Sequence, residues 1–356
     1  MTTACINRIA TAVPPYDVHQ PFIDFAAGML EEGTPRSLFR RMARLSAIEH
    51  RFSFLQPFTT LEGSWNDGEQ LYSRGGFPTT SRRMQLFERF APQLAKRTLD
   101  RLALTDEERR SITHVIVTSC TGMYAPGLDF EAVSHLKLDT SVERTMVAFM
   151  GCYAAINALK LAHHIIRSEA RSNVLILNLE LCTLHFQETQ DLEHILSFLL
   201  FADGCAASLV SARPQGLAID SFLAVNIPAT SHLITWRIGD AGFDMHLSGQ
   251  VPGEIGRALG EVRNQVTRGD DPSSIDLWAV HPGGRSILDS VEKGFGLRPD
   301  ALSSSRHILA NYGNMSSATV MFVLQQVMER AQRGQQGCAM SFGPGLTAET
   351  MLFHAA

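Results

Sequence analysis

The strongest constraint on the fold is a helix that is apolar on nearly every side. It begins at Cys152 in the segment CYAAINALKLAHHIIRSEA, and its first three turns are apolar almost all round. Such a helix must be covered on every face. A second apolar helix is predicted over residues 316–334, with Gly334 as its C-terminal stop. Two covered helices, one in each half of the chain, predict sheets on both sides of them and further helices outside.

Four short apolar runs between the helical segments are predicted as buried strands, because buried strands show continuous rather than alternating apolar residues. The runs cover residues 114–119, 173–179, 276–280 and 338–342. Strands that alternate with helices indicate the α/β class. In each half, a turn containing glycine precedes the covered helix. The pattern therefore predicts a layered α/β fold with two pseudo-symmetric halves, residues 1–212 and 213–356.

Composition limits the classes of protein that fit. The chain has 356 residues, of which 45% are hydrophobic, so it can bury a large core. Its net charge is −5 without a basic stripe, which argues against a nucleic-acid partner. The amino-terminal segment lacks the pattern of a signal peptide. The richest apolar run, residues 195–201, is too short to span a membrane, so we expect a cytoplasmic protein.

The cysteine pattern argues against metal and disulfide sites, and most of the six cysteines are expected to be small core residues, with one a candidate nucleophile. Six cysteines are scattered along the chain without a C-x-x-C pair, which argues against a zinc site and a disulfide framework and fits a reducing cytosol. Cys152 lies at a predicted helix start, where backbone N–H groups and the helix dipole stabilise a thiolate. Gly151 permits the sharp turn that exposes the sulfur. From position alone, a buried structural cysteine is the alternative.

Two further polar residues occupy comparable positions. His281 follows a predicted strand and precedes Pro282-Gly283-Gly284, so it lies at the carboxyl end of a strand, where α/β sheets bind ligands. A neutral imidazole there can take the proton of a thiol. Asn314 precedes the second covered helix, and its amide can donate a hydrogen bond to a thioester carbonyl. The alternatives are a surface loop histidine and an ordinary helix-capping asparagine.

Together, thiol, base and amide donor indicate acyl transfer through a thioester. The same set suits decarboxylative condensation, since loss of CO₂ from a malonyl thioester leaves an enolate that His281 and Asn314 can both stabilise. Preorganised donors of this kind are worth roughly 3 kcal/mol of barrier each.

Several motifs resemble those of the chalcone synthase family, the type III polyketide synthases, over nearly the whole chain. The matching stretches are Gly151-Cys152, FADG from Phe201, HPGGRSILDSVE from His281, YGNMSSA from Tyr312 and SFGPGLTAET from Ser341. The resemblance implies the thiolase fold, with five αβαβα layers, in an obligate homodimer. It implies Cys152 as nucleophile, His281 as base and oxyanion donor, and Asn314 as second donor.

The resemblance also implies the substrates and their binding residues. These are acyl-CoA and malonyl-CoA, with no permanently bound cofactor and no metal. Phe201 corresponds to an aromatic gate between the coenzyme A tunnel and the cavity. Arg41 and Arg44 in SLFRRMARL, together with Ser286, correspond to the coenzyme A site. For the arginines, a solvated helix face is the alternative.

Departures from the plant pattern concern the product. The second gate aromatic of the plant enzymes aligns with Met245. A position that is often small in the plant enzymes aligns with His185, and a glycine of their cavity floor aligns with Trp236. The plant methionine that reaches into the neighbouring subunit aligns with Ala125. Other predicted pocket positions are Cys120, Thr121, Glu180, Cys182 and Ser316. The added bulk predicts a reduced cavity and a short pyrone or an alkylresorcinol rather than a chalcone.

Three alternatives differ in function. A β-ketoacyl synthase that initiates fatty-acid synthesis shares the Cys-His-Asn set but takes malonyl from acyl carrier protein and usually lacks the FGPG loop. A papain-like protease has the same residue order but requires a Cys-Gly-Ser-Cys type signature, which is absent. A non-catalytic thiolase-fold partner predicts no covalent loading.

Overall fold

The computed structural model describes residues 2–59, 65–67, 69 and 71–356 and has a mixed α/β fold. The strands, numbered along the chain, are β1 (Cys5–Ala12), β2 (Tyr16–Asp17), β3 (Phe52–Ser53), β4 (Pro57–Thr59), β5 (Trp65–Asp67), β6 (His114–Ser119), β7 (Glu143–Ala148), β8 (Val174–Leu181), β9 (Asp203–Ser211), β10 (Leu217–Asn226), β11 (Ile234–Gly239), β12 (Gly242–Leu247), β13 (Leu277–Val280), β14 (Gln336–Gly343) and β15 (Thr347–Ala355). The α-helices are α1 (His19–Met29), α2 (Thr34–Leu45), α3 (Thr80–Arg101), α4 (Asp106–Ser111), α5 (Leu128–Leu136), α6 (Ala154–Ser168), α7 (Leu192–Leu200), α8 (Val251–Val266), α9 (Arg285–Phe295), α10 (Ser303–Tyr312) and α11 (Thr319–Arg330).

The main sheet repeats one arrangement twice. Its nine strands lie in the order β7-β6-β8-β9-β1-β10-β15-β14-β13. In the first half, β6 and β8 are parallel, and β9 and β1 follow antiparallel. In the second half, β13 and β14 are parallel, and β15 and β10 follow antiparallel. In each half the covered helix, α6 or α11, leads into the second of the two parallel strands. The predicted pseudo-symmetry is confirmed, with β7 as an extra edge strand.

The two halves meet at the amino end of β1. Cys5 and Ile6 pair antiparallel with Ala218 and Leu217 of β10. The two sheets predicted from the sequence are therefore hydrogen-bonded into one continuous sheet. The boundary predicted between residues 212 and 213 falls just before β10 and stays a prediction.

Three apolar clusters divide the molecule into layers. The first joins α3 and α5 to one face of β6 and β8. The central cluster joins α6 and α11 to the inner faces of both halves of the sheet. The third joins α8 and α9 to the outer face of β13 and β14. The order is therefore helix, sheet, helix, sheet, helix, which confirms the five-layered thiolase-like arrangement.

Side chains of one strand serve two layers because successive residues point to opposite faces. In β6, Val115 and Val117 belong to the outer cluster, whereas Ile116 belongs to the central one. In β13, Trp278 faces outward and Ala279 inward. This double burial is why the predicted strands are continuous apolar runs.

The predicted elements agree with the structure except at the helix ends. The four predicted strands correspond to β6, β8, β13 and β14. Each covered helix is preceded by a 3₁₀ turn, Gly151–Tyr153 before α6 and Ser316–Ala318 before α11. The predicted stop at Gly334 is wrong, because α11 ends at Arg330 and the backbone of Ala331 is already extended. Among the described residues, no helix is long and apolar enough to cross a membrane.

Substitution of a residue in the central layer tests its contribution to stability. Leu159 of α6 is fully buried in the central cluster. We expect Leu159→Ala to lower the free energy of unfolding by about 2–5 kcal/mol, because it removes apolar contacts and leaves a cavity. Denaturant unfolding measures the change. The control Ile238→Ala, at a residue that is 60% exposed, should stay within about 0.5 kcal/mol of wild type. Equal effects of the two substitutions would contradict the layered core.

Candidate active site

A single cavity of about 640 Å³ collects residues from both halves of the fold. The first half contributes the end of β6 and the turn before α6. The second half contributes the end of β13 and the turn before α11. Cys152, His281 and Asn314, which lie far apart in the sequence, all line this cavity.

Cys152 is presented by a turn that only glycine can make. Gly151 has a φ of 74°, in the left-handed region, and a Cβ at this position would collide with the Pro344 ring. The loop after β14 therefore packs directly on the turn that carries the sulfur. Burial raises the pKa of Cys152 to about 12, while hydrogen bonds from the side chains of Ser316 and Asn314 lower it. The predicted helix-start stabilisation of a thiolate is thus outweighed by burial in the free protein.

His281 lies at the carboxyl end of β13, as predicted, and is buried. Its backbone N–H donates to the carbonyl of Met340, which fixes the residue against β14 at 2.7 Å. Neither ring nitrogen has a hydrogen-bond partner among the described residues. Burial lowers the pKa of His281 to about 3, so the imidazole is neutral. A neutral, unpartnered imidazole at the cavity wall is available both to accept a proton and to donate one.

The Asn314 side chain caps a turn and also lines the cavity. Its Oδ1 accepts from the backbone N–H of Ser316 at 2.9 Å, so it caps the turn before α11. Its Nδ2 donates to the carbonyl of Gly283 at 3.3 Å, and its side chain lowers the pKa of Cys152. The capping bond fixes which end of the amide points into the cavity.

The backbone holds Asn314 next to Phe201. The Asn314 N–H donates to the carbonyl of Leu200 at 2.8 Å, and the Ala202 N–H donates to the carbonyl of Asn314 at 2.9 Å. This short bridge connects the end of α7 with the turn before α11. Phe201 is buried and forms part of the cavity wall.

A buried carboxylate lies behind the cavity. Glu180 accepts hydrogen bonds from the Cys120 N–H at 2.9 Å, the Thr121 hydroxyl at 2.8 Å and the Ser317 hydroxyl at 2.6 Å. Burial nevertheless raises its pKa to about 7, and its negative charge raises the pKa of Cys152. The carboxylate therefore ties the end of β6, β8 and the turn before α11 together close to Cys152.

Comparison with known proteins gives the family. The model of the N-terminal domain of chalcone and stilbene synthases matches residues 4–214, and that of the C-terminal domain matches residues 218–356. The chain belongs to the chalcone and stilbene synthase family. It is a type III polyketide synthase, which excludes the initiating β-ketoacyl synthase and the papain-like protease as alternatives.

Individual relatives cover the whole synthase. It is 32% identical to bisdemethoxycurcumin synthase of Oryza sativa, over 99% of this chain and 92% of the relative. It is 31% identical to the alpha-pyrone synthesis polyketide synthase-like Pks18 of Mycobacterium tuberculosis, over 99% and 91%. The C-terminal type III polyketide synthase domain of Steely1 from Dictyostelium superimposes with a TM-score of 0.88 at 23% identity, over 99% of both chains.

One wall of the synthase cavity is an aromatic stack. Trp236 of β11 lines the cavity, and its indole N–H donates to the carbonyl of Cys120 at 2.6 Å. His185 stacks on Phe243 at 4.2 Å and meets Trp236 edge-on at 5.5 Å. Both ring nitrogens of His185 are hydrogen-bonded, one to the carbonyl of Thr121 and one to the N–H of Phe243. These hydrogen bonds therefore fix the orientations of the Trp236 and His185 rings.

The other predicted site residues fall into three groups. Some line the cavity as predicted: Cys120, Thr121, Cys182, Met245, Ser286 and Ser316. Glu180 and His185 are fully buried behind the lining rather than on it, because their polar atoms are used in the contacts described above. Arg41 and Arg44 are exposed on α2 and have no ion-pair partner among the described residues, while Met42 and Leu45 of the same helix line the cavity.

The sequence analysis missed most of the apolar wall contributed by α7. Residues 196–200 all line the cavity, whereas only Phe201 was singled out from this segment. It also missed Arg51 and Arg83, two fully buried arginines. The apolar run at residues 195–201 was a sequence signal for the α7 wall. Nothing in the sequence around Arg51 or Arg83 indicates that these side chains are buried.

The pH dependence of stability tests the burial of Glu180. Its folded pKa of about 7 lies above its ordinary value of 4.5, so its contribution to stability is complete below pH 4.5 and is lost as pH rises through 7. Glu180→Gln places an amide N–H₂ donor against the N–H and hydroxyl donors that surround Glu180. It should lower the free energy of unfolding by about 1–3 kcal/mol below pH 4.5. The stability difference from wild type should shrink between pH 4.5 and pH 7, as measured by denaturant unfolding. A difference that grows with pH would contradict a raised pKa.

Proposed function

We propose that the synthase loads an acyl group from coenzyme A onto Cys152 and extends it with malonyl-CoA. Cys152 is the nucleophile, His281 the base and one oxyanion donor, and Asn314 the second donor. The proposal is supported by one observation above others: the sulfur, the imidazole and the amide, which come from both halves of the chain, line one cavity. Amide and imidazole are the groups that stabilise a thioester oxyanion without competing with the thiolate as nucleophiles.

Loading begins with proton transfer. In the free protein the half-buried thiol and the buried imidazole are both neutral, since removal from water disfavours either charge alone. Transfer of the thiol proton to His281 creates both charges together, so that each offsets the desolvation of the other. The thiolate attacks the acyl carbonyl, and the coenzyme A thiolate leaves and takes up a proton. An acyl-Cys152 thioester remains.

Extension uses the same two donors. The carboxylate of malonyl-CoA leaves as CO₂, and Asn314 Nδ2 and a His281 N–H bind the enolate oxygen. The enolate carbon attacks the acyl-Cys152 carbonyl, the new carbon–carbon bond forms, and Cys152 is released. Phe201 gives the carboxylate an apolar, water-poor neighbour, which favours its loss as neutral CO₂.

Coenzyme A is proposed to bind at the α2 end of the cavity. Met42, Leu45 and Ser286 line this end, and the unpaired Arg41 and Arg44 lie beside them on α2. Guanidinium groups bind phosphate with bidentate geometry. The acyl-CoA phosphates would therefore lie over α2, with the pantetheine arm directed towards Cys152.

The product is proposed to be a short polyketide that cyclises to a pyrone or a resorcinol. The Trp236 and Met245 side chains narrow the cavity. The indole of Trp236 is held in place by its hydrogen bond to Cys120 and by the His185 ring that packs against it. The name of one relative, which is 31% identical to this chain, includes alpha-pyrone synthesis.

A homodimer in the cytoplasm is proposed as the working form. β7 is an edge strand of the main sheet, and Met123, Phe130 and Met150 expose apolar surface in the segments before and after it. Exposed apolar surface beside a free strand edge suits a second copy of the chain. All six cysteines are free thiols, which suits a reducing compartment.

Covalent loading tests the nucleophile. Incubation with an acyl-CoA should add one acyl group, and intact-protein mass spectrometry should find it on Cys152. Cys152→Ala should abolish the adduct, because it removes the attacking sulfur. The control Cys182→Ala removes a different thiol from the same cavity and should keep the adduct. An adduct that survives Cys152→Ala would refute the assignment, and absence of any adduct in the wild type would favour a non-catalytic role.

Product length tests the aromatic wall. Trp236→Gly should give products with more malonyl units, because it removes the indole from the cavity wall. Trp236→Phe is the matched control, since it deletes the indole hydrogen bond but keeps an aromatic ring, and it should keep the wild-type length. Chromatography with mass spectrometry of products from a panel of acyl-CoA starters measures both. An unchanged profile for Trp236→Gly would reject this role of the wall.

A further inference from the structure

Arg51 is a fully buried guanidinium that binds backbone rather than a carboxylate. Its Nη1 donates to the carbonyls of Phe198 at 3.1 Å and Phe201 at 2.6 Å. Its Nε donates to His19 Nδ1 at 3.0 Å, and its guanidinium lies 4.5 Å from the centre of the Phe22 ring. Burial lowers the pKa of Arg51 to about 9, so the group stays charged near neutral pH.

The two carbonyls belong to the end of α7, the helix that lines the cavity. The last carbonyls of a helix lack partners within the helix, and a cation there also interacts favourably with the helix dipole. Arg51 binds the Phe198 and Phe201 carbonyls, and Asn314 binds the Leu200 carbonyl between them through its backbone N–H. Arg51 and Asn314 thus close the same helix end.

Arg51 also packs against the residue before Asn314. Gly313 has a φ of 67°, and a Cβ there would lie 2.8 Å from Cγ of Arg51 and 3.0 Å from the Leu200 carbonyl oxygen. The arginine stem, the end of α7 and the turn carrying Asn314 are therefore in direct contact. A shift of Arg51 would be passed to both Phe201 and Asn314.

A guanidinium is needed for this geometry. Three separate acceptors, two carbonyls and an imidazole nitrogen, surround its planar donors. The compact ammonium of lysine cannot reach all three from one position. Asp17 and Asp203 stabilise the charge electrostatically without a direct ion pair among the described residues.

From these contacts we propose that Arg51 is a positioning residue for the condensation step, which sets the places of Phe201 and Asn314 without touching substrate. The inference rests on the proposed function and assigns it a further residue. Both half-reactions use the Asn314 amide, but decarboxylation alone also needs the apolar surface of Phe201 beside the departing carboxylate. A displacement of Phe201 and Asn314 together should therefore slow decarboxylation more than loading. Loss of Arg51 should therefore separate the two half-reactions.

The test measures both half-reactions in Arg51→Lys. Acyl loading on Cys152 is followed by intact-protein mass spectrometry, and decarboxylation by release of CO₂ from malonyl-CoA, with acetyl-CoA as the other product. We expect the rate of loading to fall clearly less than the rate of CO₂ release. The kcat of CO₂ release should fall about 10- to 100-fold with little change in KM, which is the cost of a displacement of about 1 Å.

Arg83→Lys is the matched control. Arg83 is also fully buried, and it binds the carbonyls of Leu184 and Phe186, which precede α7 in the chain. It has no contact with Phe201 or Asn314 among its hydrogen bonds. This variant should lose stability in a thermal melt as Arg51→Lys does, but should keep the wild-type ratio of loading to CO₂ release.

Two outcomes would overturn the inference. One is an equal loss, or no loss, of both half-reactions in Arg51→Lys, and the other is the same selective loss in Arg83→Lys. If Arg51→Lys does not fold, His19→Ala decides instead, since it removes one acceptor of Arg51 and should cause a smaller selective loss of CO₂ release; no selective loss there overturns the inference. Failure of the proposed function is distinguishable, because the wild type itself would then show no loading on Cys152.

Discussion

The burial of two helices between the halves of one sheet is the constraint on which the rest of this structure depends. α6 and α11 contribute more than a third of the buried residues of the central apolar cluster, and each starts from a turn at the same cavity. Their packing sets the distance between the two halves. That distance in turn brings Cys152 from the first half and Asn314 from the second to the wall of one cavity. The geometry of the candidate site is thus a result of core packing.

Much of this could be predicted from the sequence because it leaves a local signal. Continuous apolar runs predicted β6, β8, β13 and β14, since both faces of each strand are covered. Glycine before a polar residue predicted the turns that present Cys152 and Asn314. The hydrogen-bonded junction of β1 with β10 could not be predicted, because pairing between distant strands has no local pattern. The positions of Glu180 and His185 behind the lining could not be predicted either, since they depend on which partners satisfy a buried polar atom.

Electrostatics at the site follow from the exclusion of water. Burial pushes the pKa of the Cys152 thiol to about 12 and that of the His281 imidazole to about 3. Each group alone is therefore uncharged, and in the proposed loading step the two groups ionise together. Glu180, with a pKa near 7, adds a negative charge behind the sulfur and works against the thiolate. The hydrogen bonds from Ser316 and Asn314 counter this, which gives Asn314 a role before any substrate arrives.

The aromatic wall and the frame of the fold are separate pieces of structure. Trp236 and Met245 face each other across a two-stranded hairpin, β11 and β12, that does not pair with the nine-stranded sheet. Its side chains touch the cavity, yet its backbone carries none of the ladder that holds the layers together. Substitution of the hairpin's cavity-facing side chains can therefore change the shape of the cavity while the strand pairing of the nine-stranded sheet stays intact, so the shape of the cavity can vary among descendants of such an enzyme without change to its frame.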